Sequence, residues 1–438
     1  MTLWVFLRLW SLLWHLGLPV VLLYLVWRGR KDALYGRHLA ERFGRYRQRL
    51  PGSVWVHAVS LGEMRSAVPL IRALLDRGET VVTTHFTPAG RREAERAFPA
   101  EIAAGRMAAV WVPFETSWAY AGFFRAFRPR AGLVMEIEIW PRMIFAARKS
   151  AVPLFMCNAQ YPTKSMTRDA RFTLRHKLMQ NYAGAFVKSD LQARRFASVG
   201  VPNIAVTGEL RFDQPIPAHL LGAAERVRPL LAEGRPVVTF ASAVEGEDEL
   251  YLDAIIAALG HPSRPFVVYV PRKPERFDDV ARLVARRGLA AIRRSESLDA
   301  TLAPKTPAFP LWEGGALSGS GPDLLLGDSL GEMYFYIALA DRVVTGGGFT
   351  PYGAHNIIEP LALKRPVIVG PEIHTIEYPA VEAIAAGVCL RVETPEALSE
   401  ALTGWPGPPP EAIESFFAAH AGATARTLAA LDRALTRR

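Results

Sequence analysis

The sequence predicts an α/β protein with two doubly wound domains, each a parallel sheet covered by helices on both faces. Short apolar stretches alternate with stretches of helical spacing, this alternation occurs in two successive series, and 438 residues exceed what one ordinary core requires. We therefore expect a membrane-anchor helix over 1–30, a basic juxtamembrane segment over 31–50, an N-terminal domain over 51–207, a C-terminal domain over 208–410 and a C-terminal helix over 411–438.

The N-terminus has the composition of a membrane anchor. Residues 2–27 are almost entirely apolar, and Arg28, Arg30 and Lys31 follow at once. The run 9–27 has about the 20 residues needed to cross a bilayer. A signal peptide is disfavoured because the positive charge lies mainly after the apolar run and no small-residue cleavage site follows it. The positive-inside rule then places the bulk of the protein in the cytoplasm, and a helix lying in the membrane interface is the alternative to a span.

The charge balance indicates an acidic partner. The chain has 52 Lys and Arg residues against 42 Asp and Glu residues, a formal net charge of +10. Because no zinc-finger spacing, RNP-like strand or long basic run is present, we predict anionic membrane lipid and no nucleic acid as partner. Residues 31–50 interleave basic and aromatic side chains. They either hold an acidic lipid headgroup or form a solvated helix.

The first α/β series begins after residue 51. Apolar runs of strand length fall at 54–59, 80–84, 108–111, 131–135, 152–158 and 184–188. In open α/β sheets, ligands bind beyond the carboxyl ends of the strands. The residues that directly follow each strand are therefore the candidates for a functional site.

Ser60, Gly62 and Glu63 follow the first of these strands. Ser60 and Glu63 have the spacing of a capping box, which would satisfy backbone amides at a helix start and bind nothing else. The functional alternative places Glu63 at a strand-to-helix junction facing the cleft between the domains. There it could act as a general base.

Glu136 and Glu138 follow the strand 131–135 and alternate with large apolar residues. If the strand continues, the two carboxylates point the same way, which is unfavourable unless a cation or substrate hydroxyls lie between them. A solvated sheet edge is the alternative. The neighbouring Ile139 and Trp140 favour a partly buried site.

The second series has strands at 237–241, 266–270, 324–326, 342–345, 367–369 and 388–391. Three glycines, 346–348, follow the fourth of these, and a helix is predicted to begin near Asn356 with Glu359 in its first turn. Glycines allow backbone N–H groups to converge, and a helix start adds partial positive charge, so this stretch predicts an anion site. The alternative is that Asn356 and Glu359 form only a capping box.

Two other strands of the second series end in polar residues. Pro271, Arg272 and Lys273 follow one strand, and Gly327 and Asp328 follow another. Arg272 and Lys273 supply cations where a phosphate could bind. The division of carboxylates in the first half and phosphate-binding groups in the second predicts a nucleotide-linked donor in the C-terminal domain and an acceptor hydroxyl activated by the N-terminal one.

Read together, the motifs resemble those of the bacterial 3-deoxy-D-manno-octulosonic acid (Kdo) transferase family, which are membrane-associated glycosyltransferases of the GT-B type with two Rossmann-like domains facing a cleft. The resemblance covers nearly the whole chain and is carried, in order, by HAVSLGE, TTHFTPAG, MEIEIWP, TGELRFD, VPRKPERF, GDSLGEM, GAHNIIEP and PVIVGP. It implies transfer of Kdo from CMP-Kdo to the lipid A precursor (lipid IVA) on the cytoplasmic face of the cell inner membrane, in lipopolysaccharide biosynthesis. It also implies an inverting displacement with no cofactor and no metal at the transferase site.

The resemblance implies a role for each candidate residue. Glu63 matches the general base that takes the proton of the acceptor hydroxyl, and Glu138 matches part of a second acidic motif. Ser60, Gly62 and Glu136 are expected as acceptor contacts or as their support. The donor site is expected to contain the residues that follow the strands of the second domain, with Glu359 on the ribose: Pro271, Arg272, Lys273, Gly327, Asp328, Gly347, Asn356 and Glu359.

Four motifs depart from the family pattern: three have single changes, with Lys273 in place of a histidine, Ala354 in place of a glycine and Gln160 in place of an arginine, and the fourth changes more. Residues 242–247 read SAVEGE where the family usually has Ser-Thr-His-x-Gly-Glu, so a threonine and a histidine near the expected donor are replaced. The departures leave two alternatives open, a paralogue using another CMP-activated sugar and an inactive lipid-binding scaffold. A nucleotide-sugar epimerase is a third alternative, because fold alone does not fix function.

Overall fold

The computed structural model describes residues 3–171, 173–305 and 321–436. The chain forms two compact units. The first contains the residues up to Gln214 together with those from Ala421 onward, and the second runs from Pro215 to His420. The expected boundary between 207 and 208 lies a few residues before the observed one.

The first unit is built on a parallel seven-stranded sheet with the strand order β3-β2-β1-β4-β5-β6-β7. Its strands are β1 (Val54–His57), β2 (Val81–His85), β3 (Met107–Trp111), β4 (Ala131–Met135), β5 (Leu154–Ala159), β6 (Gly184–Val187) and β7 (Ile204–Val206). All residues of β1 to β6 are buried, as expected for a parallel sheet with both faces covered. The carboxyl ends of these strands meet at one edge of the sheet.

Helices pack on both faces of this sheet. They are α1 (Leu3–Gly29), α2 (Leu39–Arg42), α3 (Leu61–Asp76), α4 (Pro88–Ala97), α5 (Pro99–Ala103), α6 (Ser117–Phe127), α7 (Pro141–Lys149), α8 (Thr163–Asp169), α9 (Leu174–Met179) and α10 (Asp190–Ser198). One core cluster lies between the sheet and α3, and the other lies between the sheet and α6 and α7. The helices that follow strands therefore begin at the same sheet edge as the candidate site residues.

The second unit has another parallel seven-stranded sheet, with the order β10-β11-β9-β8-β12-β13-β14. Its strands are β8 (Val237–Ala243), β9 (Phe266–Pro271), β10 (Ala291–Arg293), β11 (Leu324–Leu326), β12 (Arg342–Thr345), β13 (Val367–Val369) and β14 (Cys389–Arg391). Its helices are α11 (Ala218–Ala232), α12 (Asp248–Leu259), α13 (Phe277–Arg286), α14 (Arg294–Ser297), α15 (Met333–Leu339), α16 (Ile358–Ala362), α17 (Glu377–Ala385), α18 (Pro395–Gly404) and α19 (Pro410–His420). The prediction of two doubly wound α/β domains is confirmed.

Two strands, β7 and β10, do not appear in the sequence analysis. Each has three residues and lies at one end of its sheet, with most of its residues half-buried or exposed. A three-residue edge strand carries too short an apolar pattern to be distinguished from a loop. The sequence analysis missed these two strands because they are short and lie at the ends of their sheets, and not because of their amino-acid composition.

The C-terminal segment differs from the expected single helix over 411–438. It forms α19 in the second unit and a separate helix, α20 (Ala423–Thr436), in the first. The chain breaks at Gly422, where φ is +83°, a conformation that favours glycine. The Asp213 carboxylate accepts hydrogen bonds from the amides of Gly422 and Thr424, each at 2.6 Å, and so caps the start of α20.

Helix α1 is, within the described residues, the one helix long and apolar enough to cross a membrane. One face of α1 contacts the globular part of the first unit. Leu3 and Phe6 pack against its core, and Trp10 Nε1 donates to Glu115 at 3.0 Å. Leu25, near the other end of α1, is also buried. The globular part therefore meets α1 along most of its length.

Candidate functional site

Glu63 lies in the first turn of α3, directly after β1. Ser60 Oγ accepts from the Glu63 amide at 3.3 Å and donates to Glu63 Oε1 at 2.9 Å. Glu63 Oε2 accepts from the Val59 amide at 2.8 Å, and the carbonyl of Gly62 accepts from a serine one turn later. The capping interaction between Ser60 and Glu63 is therefore present, and it fixes the Glu63 carboxylate at the sheet edge.

The environment of Glu63 changes its acidity. Burial raises the pKa of Glu63 to about 7, the Glu138 and Glu136 charges act in the same direction, and the hydrogen bonds from Val59 and Ser60 oppose the shift. Among the residues that the structure describes, no Lys or Arg forms an ion pair with Glu63. A carboxyl group with a pKa near 7 can exchange a proton at neutral pH, as general acid–base catalysis requires.

The two carboxylates after β4 point in different directions, contrary to the expectation for a continuing strand. Strand β4 ends at Met135, and Glu136 has a φ of +55°. This left-handed residue turns the chain. Glu136 Oε1 accepts from Asn158 Nδ2 and lies 2.9 Å from Lys188 Nζ. Lys188 is a cation that Glu136 shares with Glu209, whereas the expectation was a cation or substrate hydroxyls between Glu136 and Glu138.

The polar network around Glu136 includes residues that the sequence analysis missed. Lys188 Nζ lies 2.7 Å from Glu209 Oε2, and Asn158 Nδ2 donates to Glu209 Oε1 at 2.9 Å. Burial acts to lower the pKa of Lys188, but Glu136 and Glu209 raise it overall, so the ammonium group stays charged. The only sequence signal for Lys188 and Asn158 was their position at or near the carboxyl ends of predicted strands.

Glu138 lies against an aromatic wall. Its Oε2 accepts from Trp140 Nε1 at 2.5 Å, and its carbonyl accepts from the Tyr182 hydroxyl. Burial raises the pKa of Glu138, while the Trp140 hydrogen bond opposes that shift. The Trp140 ring contacts the His57 ring edge-on, with centroids 5.5 Å apart. Glu138 is therefore a carboxylate in partly apolar surroundings with one neutral donor.

In the second unit, the glycine-rich loop has a partner that the sequence did not indicate. The Gly347 amide donates to Glu247 Oε2 at 2.7 Å, and the Phe349 amide donates to Glu247 Oε1 at 3.0 Å. Glu247 is fully buried and also accepts from the Tyr251 hydroxyl at 2.9 Å. The Gly347 amide therefore binds the protein's own carboxylate, in place of the expected donor phosphate.

The close packing of this loop explains its glycines. A Cβ at Gly346 would collide with the backbone of Ser242, and one at Gly348 would lie 2.6 Å from the amide nitrogen of Gly370. Both positions therefore require glycine because backbone approaches backbone. The three glycines order the loop against 242–247 and the strand ends.

Arg272 and His355 come together in the second unit. Arg272 Nη1 lies 2.8 Å from His355 Nδ1. Burial, followed by the Arg272 charge, lowers the pKa of His355 to about 4, so the imidazole is neutral at pH 7. Pro271 ends β9, and Lys273 is exposed directly after Arg272. This corner of the sheet therefore carries two cations and one neutral imidazole.

The helix predicted near Asn356 is short. Asn356 Oδ1 accepts from the Ile358 amide at 2.9 Å, and Glu359 lies in the first turn of α16. After burial, the Glu359 charge is the second cause that raises the pKa of Tyr334, so these two side chains interact. Ile357 is the N-cap residue of α16, so the Asn356 side-chain amide closes a local turn just before the helix and does not act as its N-cap.

Gly327 and Asp328 are part of the framework of the second unit. The Asp328 carboxylate accepts from Arg293 Nε and the Ser295 amide, each at 2.8 Å. A Cβ at Gly327 would lie 2.9 Å from the Tyr336 ring. The structure thus gives both predicted donor-site residues contacts within the unit.

Comparison with known proteins decides the family. The family model described as 3-deoxy-D-manno-octulosonic-acid transferase matches residues 37–214. A 3-deoxy-D-manno-octulosonic acid transferase of Bordetella pertussis is 40% identical, with 89% of this chain and 90% of that protein covered. The chain belongs to the Kdo transferase family. The Haemophilus influenzae member is 29% identical, with 83% of this chain and 81% of that protein covered.

Solved structures of other proteins share the fold. A glycosyltransferase from Rickettsia africae matches with a TM-score of 0.52 at 13% identity, with 90% of this chain and 97% of that chain covered. A UDP-GlcNAc 2-epimerase from Neisseria meningitidis matches with a TM-score of 0.53 at 14% identity, with 87% and 100% covered. These likenesses establish a GT-B type fold, and the sequence relatives establish that this Kdo transferase is a glycosyltransferase of lipopolysaccharide biosynthesis.

The described residues contain no group of three or more His, Cys, Asp or Glu side chains placed to hold a metal ion. The charges of Glu138 and Glu136 both raise the pKa of Glu63. The surroundings of the three carboxylates differ: a capped helix start for Glu63, a buried ammonium group for Glu136 and an indole for Glu138.

We predict that replacing Lys188 with Met will destabilise the first unit. The substitution leaves Glu136 and Glu209 close together without their shared cation, and breaking a buried pair costs about 3–5 kcal/mol. Urea unfolding followed by circular dichroism measures the loss. Lys364→Met is the control, because that lysine forms an exposed pair with Glu414 worth about 1 kcal/mol or less. Equal effects of the two substitutions would contradict the assigned role of Lys188.

Proposed function

We propose that this Kdo transferase moves Kdo from CMP-Kdo to the lipid A precursor at the cytoplasmic face of the inner membrane, with Glu63 as the general base. The observation that carries the proposal is the pKa of Glu63 near 7 at the carboxyl edge of the first sheet. Membership of the Kdo transferase family supports the donor and acceptor classes. A half-buried carboxylate that is half ionised at neutral pH suits the removal of a proton from a sugar hydroxyl.

The proposed reaction is a single displacement. Glu63 accepts the proton of the acceptor hydroxyl as its oxygen forms a bond to the anomeric carbon of Kdo. The bond between that carbon and the phosphate oxygen of CMP breaks, CMP leaves as an anion, and the configuration at the anomeric carbon inverts. Glu138, with Trp140 on one oxygen, is assigned to orienting the acceptor. Glu136 is assigned a supporting role because Lys188 and Asn158 already bind it.

In the second unit, we propose that cationic side chains bind the phosphate of CMP. Arg272 and Lys273 supply positive charge, and the neutral His355 supports Arg272 without repelling it strongly. The Gly347 amide already donates a hydrogen bond to Glu247, so we propose that Gly347 shapes the loop and does not bind the phosphate. Glu359 is assigned to the ribose, because a carboxylate can accept hydrogen bonds from the ribose hydroxyl groups.

The proposed membrane attachment is an α1 helix lying in the interface. Contacts with the globular part run along the helix: Arg142 Nη2 donates to the Leu7 carbonyl at 2.5 Å, Trp14 meets the Phe114 ring at 6.1 Å, and Leu25 is buried. A helix crossing the bilayer would carry these polar contacts into hydrocarbon, which is unfavourable. An in-plane helix keeps them at the headgroup level. The basic residues of 31–50 then face anionic lipid.

We expect Glu63→Gln to abolish transfer of Kdo from CMP-Kdo to tetraacylated lipid A precursor. Glutamine keeps the shape, and its oxygen can accept from the Val59 amide while its NH2 group donates to Ser60 Oγ, but it cannot take a proton, so the rate should fall by about 10² to 10⁴. The measurement is transfer of labelled Kdo by membranes carrying each variant. Glu95→Gln is the control, because Glu95 is an exposed partner of Arg91. Wild-type rates in the Glu63 variant would exclude this residue as the base.

We also expect kcat/KM for transfer to depend on the ionisation of Glu63. Because the base must be deprotonated, activity should rise about tenfold per pH unit below pH 7 and level off above it. Ser60→Ala removes a hydrogen bond that lowers the pKa of Glu63, so its rising limb should move to higher pH. A profile that is flat between pH 5 and 8, or a limb that moves to lower pH in Ser60→Ala, would contradict the assignment.

The in-plane helix predicts that both ends of α1 face the same side of the membrane. Trp4→Cys and Trp27→Cys place thiols at exposed positions near the two ends. A membrane-impermeant maleimide should label both in inside-out vesicles and neither in right-side-out vesicles. The native Cys157 and Cys389 are buried, and burial raises the pKa of each thiol to about 12, so their background should be low. Labelling of Trp4→Cys from the opposite side only would show a span.

A further inference from the structure

A cavity of about 400 Å³ lies between α1 and the carboxyl edge of the first sheet. Trp14 and Leu25 of α1 line one side, and Phe86, Ile139 and Trp140 line another. Its lining is mostly aromatic and aliphatic. A cavity of this composition suits an apolar ligand.

One wall of the cavity belongs to the helix that is suited to membrane contact. With about 3.6 residues per turn, Leu16 and Leu23 lie on the opposite face of α1 from Trp14, Val21 and Leu25. Leu16 is 69% exposed and Leu23 is 70% exposed. Helix α1 therefore presents apolar side chains both to the cavity and to its surroundings.

Another wall of the cavity connects to the candidate acceptor carboxylates. Trp140 lines the cavity, and its indole donates to Glu138 at 2.5 Å. The Trp140 ring also contacts Phe86, with centroids 6.0 Å apart. A ligand in the cavity would therefore lie one side chain away from Glu138.

Glu115 and Arg42 also line the cavity, and within the described residues Arg42 has a buried nitrogen with no hydrogen-bond partner while the Glu115 oxygens are satisfied. Glu115 accepts from Trp10 Nε1 and from the amides of Arg142 and Met143, at 2.9 to 3.0 Å. Arg42 is 2% exposed and donates from Nη2 to the Phe86 carbonyl at 3.3 Å. Its Nε is a buried donor with no hydrogen-bond partner in the described chain. Such a donor is costly unless a ligand or water accepts from it.

We propose that this cavity binds one acyl chain of the lipid acceptor, with the Arg42 Nε–H donating to the ester or amide carbonyl that joins the chain to its sugar. An apolar cavity lined by a residue with a buried, unmatched donor fits a hydrocarbon chain ending in one carbonyl acceptor. This inference rests on the proposed function, because it adds the lipid half of the acceptor to the sugar half assigned to Glu63 and Glu138. It makes the acyl chain a determinant of acceptor binding.

The test fills the cavity and compares two acceptors. Full-length Val21→Trp, in vesicles of phosphatidylethanolamine and phosphatidylglycerol, is assayed with tetraacylated lipid A precursor and with the same phosphorylated disaccharide without acyl chains. We expect KM for the acylated acceptor to rise at least tenfold, with KM for CMP-Kdo and transfer to the deacylated acceptor unchanged. Leu16→Trp is the matched control, because it adds the same side chain to the opposite face of α1. Its KM values should equal those of the wild type.

A second readout does not depend on turnover. An acceptor with a photoreactive diazirine in an acyl chain should crosslink to wild-type peptides containing Trp14 or Trp140, and crosslinking should fall in Val21→Trp and in Arg42→Gln. If Val21→Trp fails to fold by circular dichroism, the wild-type crosslink position decides the question.

The outcomes separate the two proposals. A folded wild type that transfers to neither acceptor contradicts the proposed function. A wild type that transfers to the acylated acceptor, while Val21→Trp keeps its KM and no crosslink falls on the cavity lining, overturns the acyl-chain site. Equal losses with both acceptors would assign the cavity to a bulk phospholipid chain and also overturn it.

Discussion

The ammonium group of Lys188 binds two carboxylates at once, and the arrangement of the first unit's sheet edge depends on this contact. Burial of charge is unfavourable unless a partner of opposite sign compensates it. Lys188 compensates Glu136 and Glu209, and Asn158 bridges the same two side chains. In the part of the chain that the structure describes no cation pairs with Glu63, and burial, with the Glu138 and Glu136 charges acting in the same direction, raises its pKa to about 7. Two neighbouring kinds of carboxylate result: charged groups that hold the framework, and one whose protonation can change near neutral pH.

The second unit uses a buried carboxylate for a different purpose. Glu247 accepts two amides of the glycine-rich loop and a tyrosine hydroxyl, so the loop is ordered by the protein itself. Glu247 is the last residue of 242–247, the motif that departs most from the family pattern. The departure replaces Thr and His and retains the carboxylate that holds the loop. In the proposed reaction, Arg272 and Lys273 bind the CMP phosphate, because the loop amides of Gly347 and Phe349 already donate to Glu247.

The sequence predicted the elements that have a strong local signal. Long buried strands and the residues after them were found correctly, and this placed Glu63, Glu136 and Glu138 at one sheet edge. Lys188, Asn158 and Glu209 could not be assigned because they are far apart in the chain, and only the order β4-β5-β6-β7 brings them together. The partner of the Gly347 amide was missed for the same reason, since Glu247 lies a hundred residues earlier. The left-handed turn at Glu136 had no sequence signal, because glutamate rarely adopts it.

The central claim is that burial and neighbouring carboxylates place the pKa of Glu63 near 7. The most direct test is a pH titration of the side-chain carboxyl resonances by NMR on chain labelled with ¹³C-glutamate, with Glu63→Gln identifying the Glu63 signal. We predict a midpoint at about 7 for that signal. A midpoint near 4.3, the ordinary value for glutamate, would contradict it.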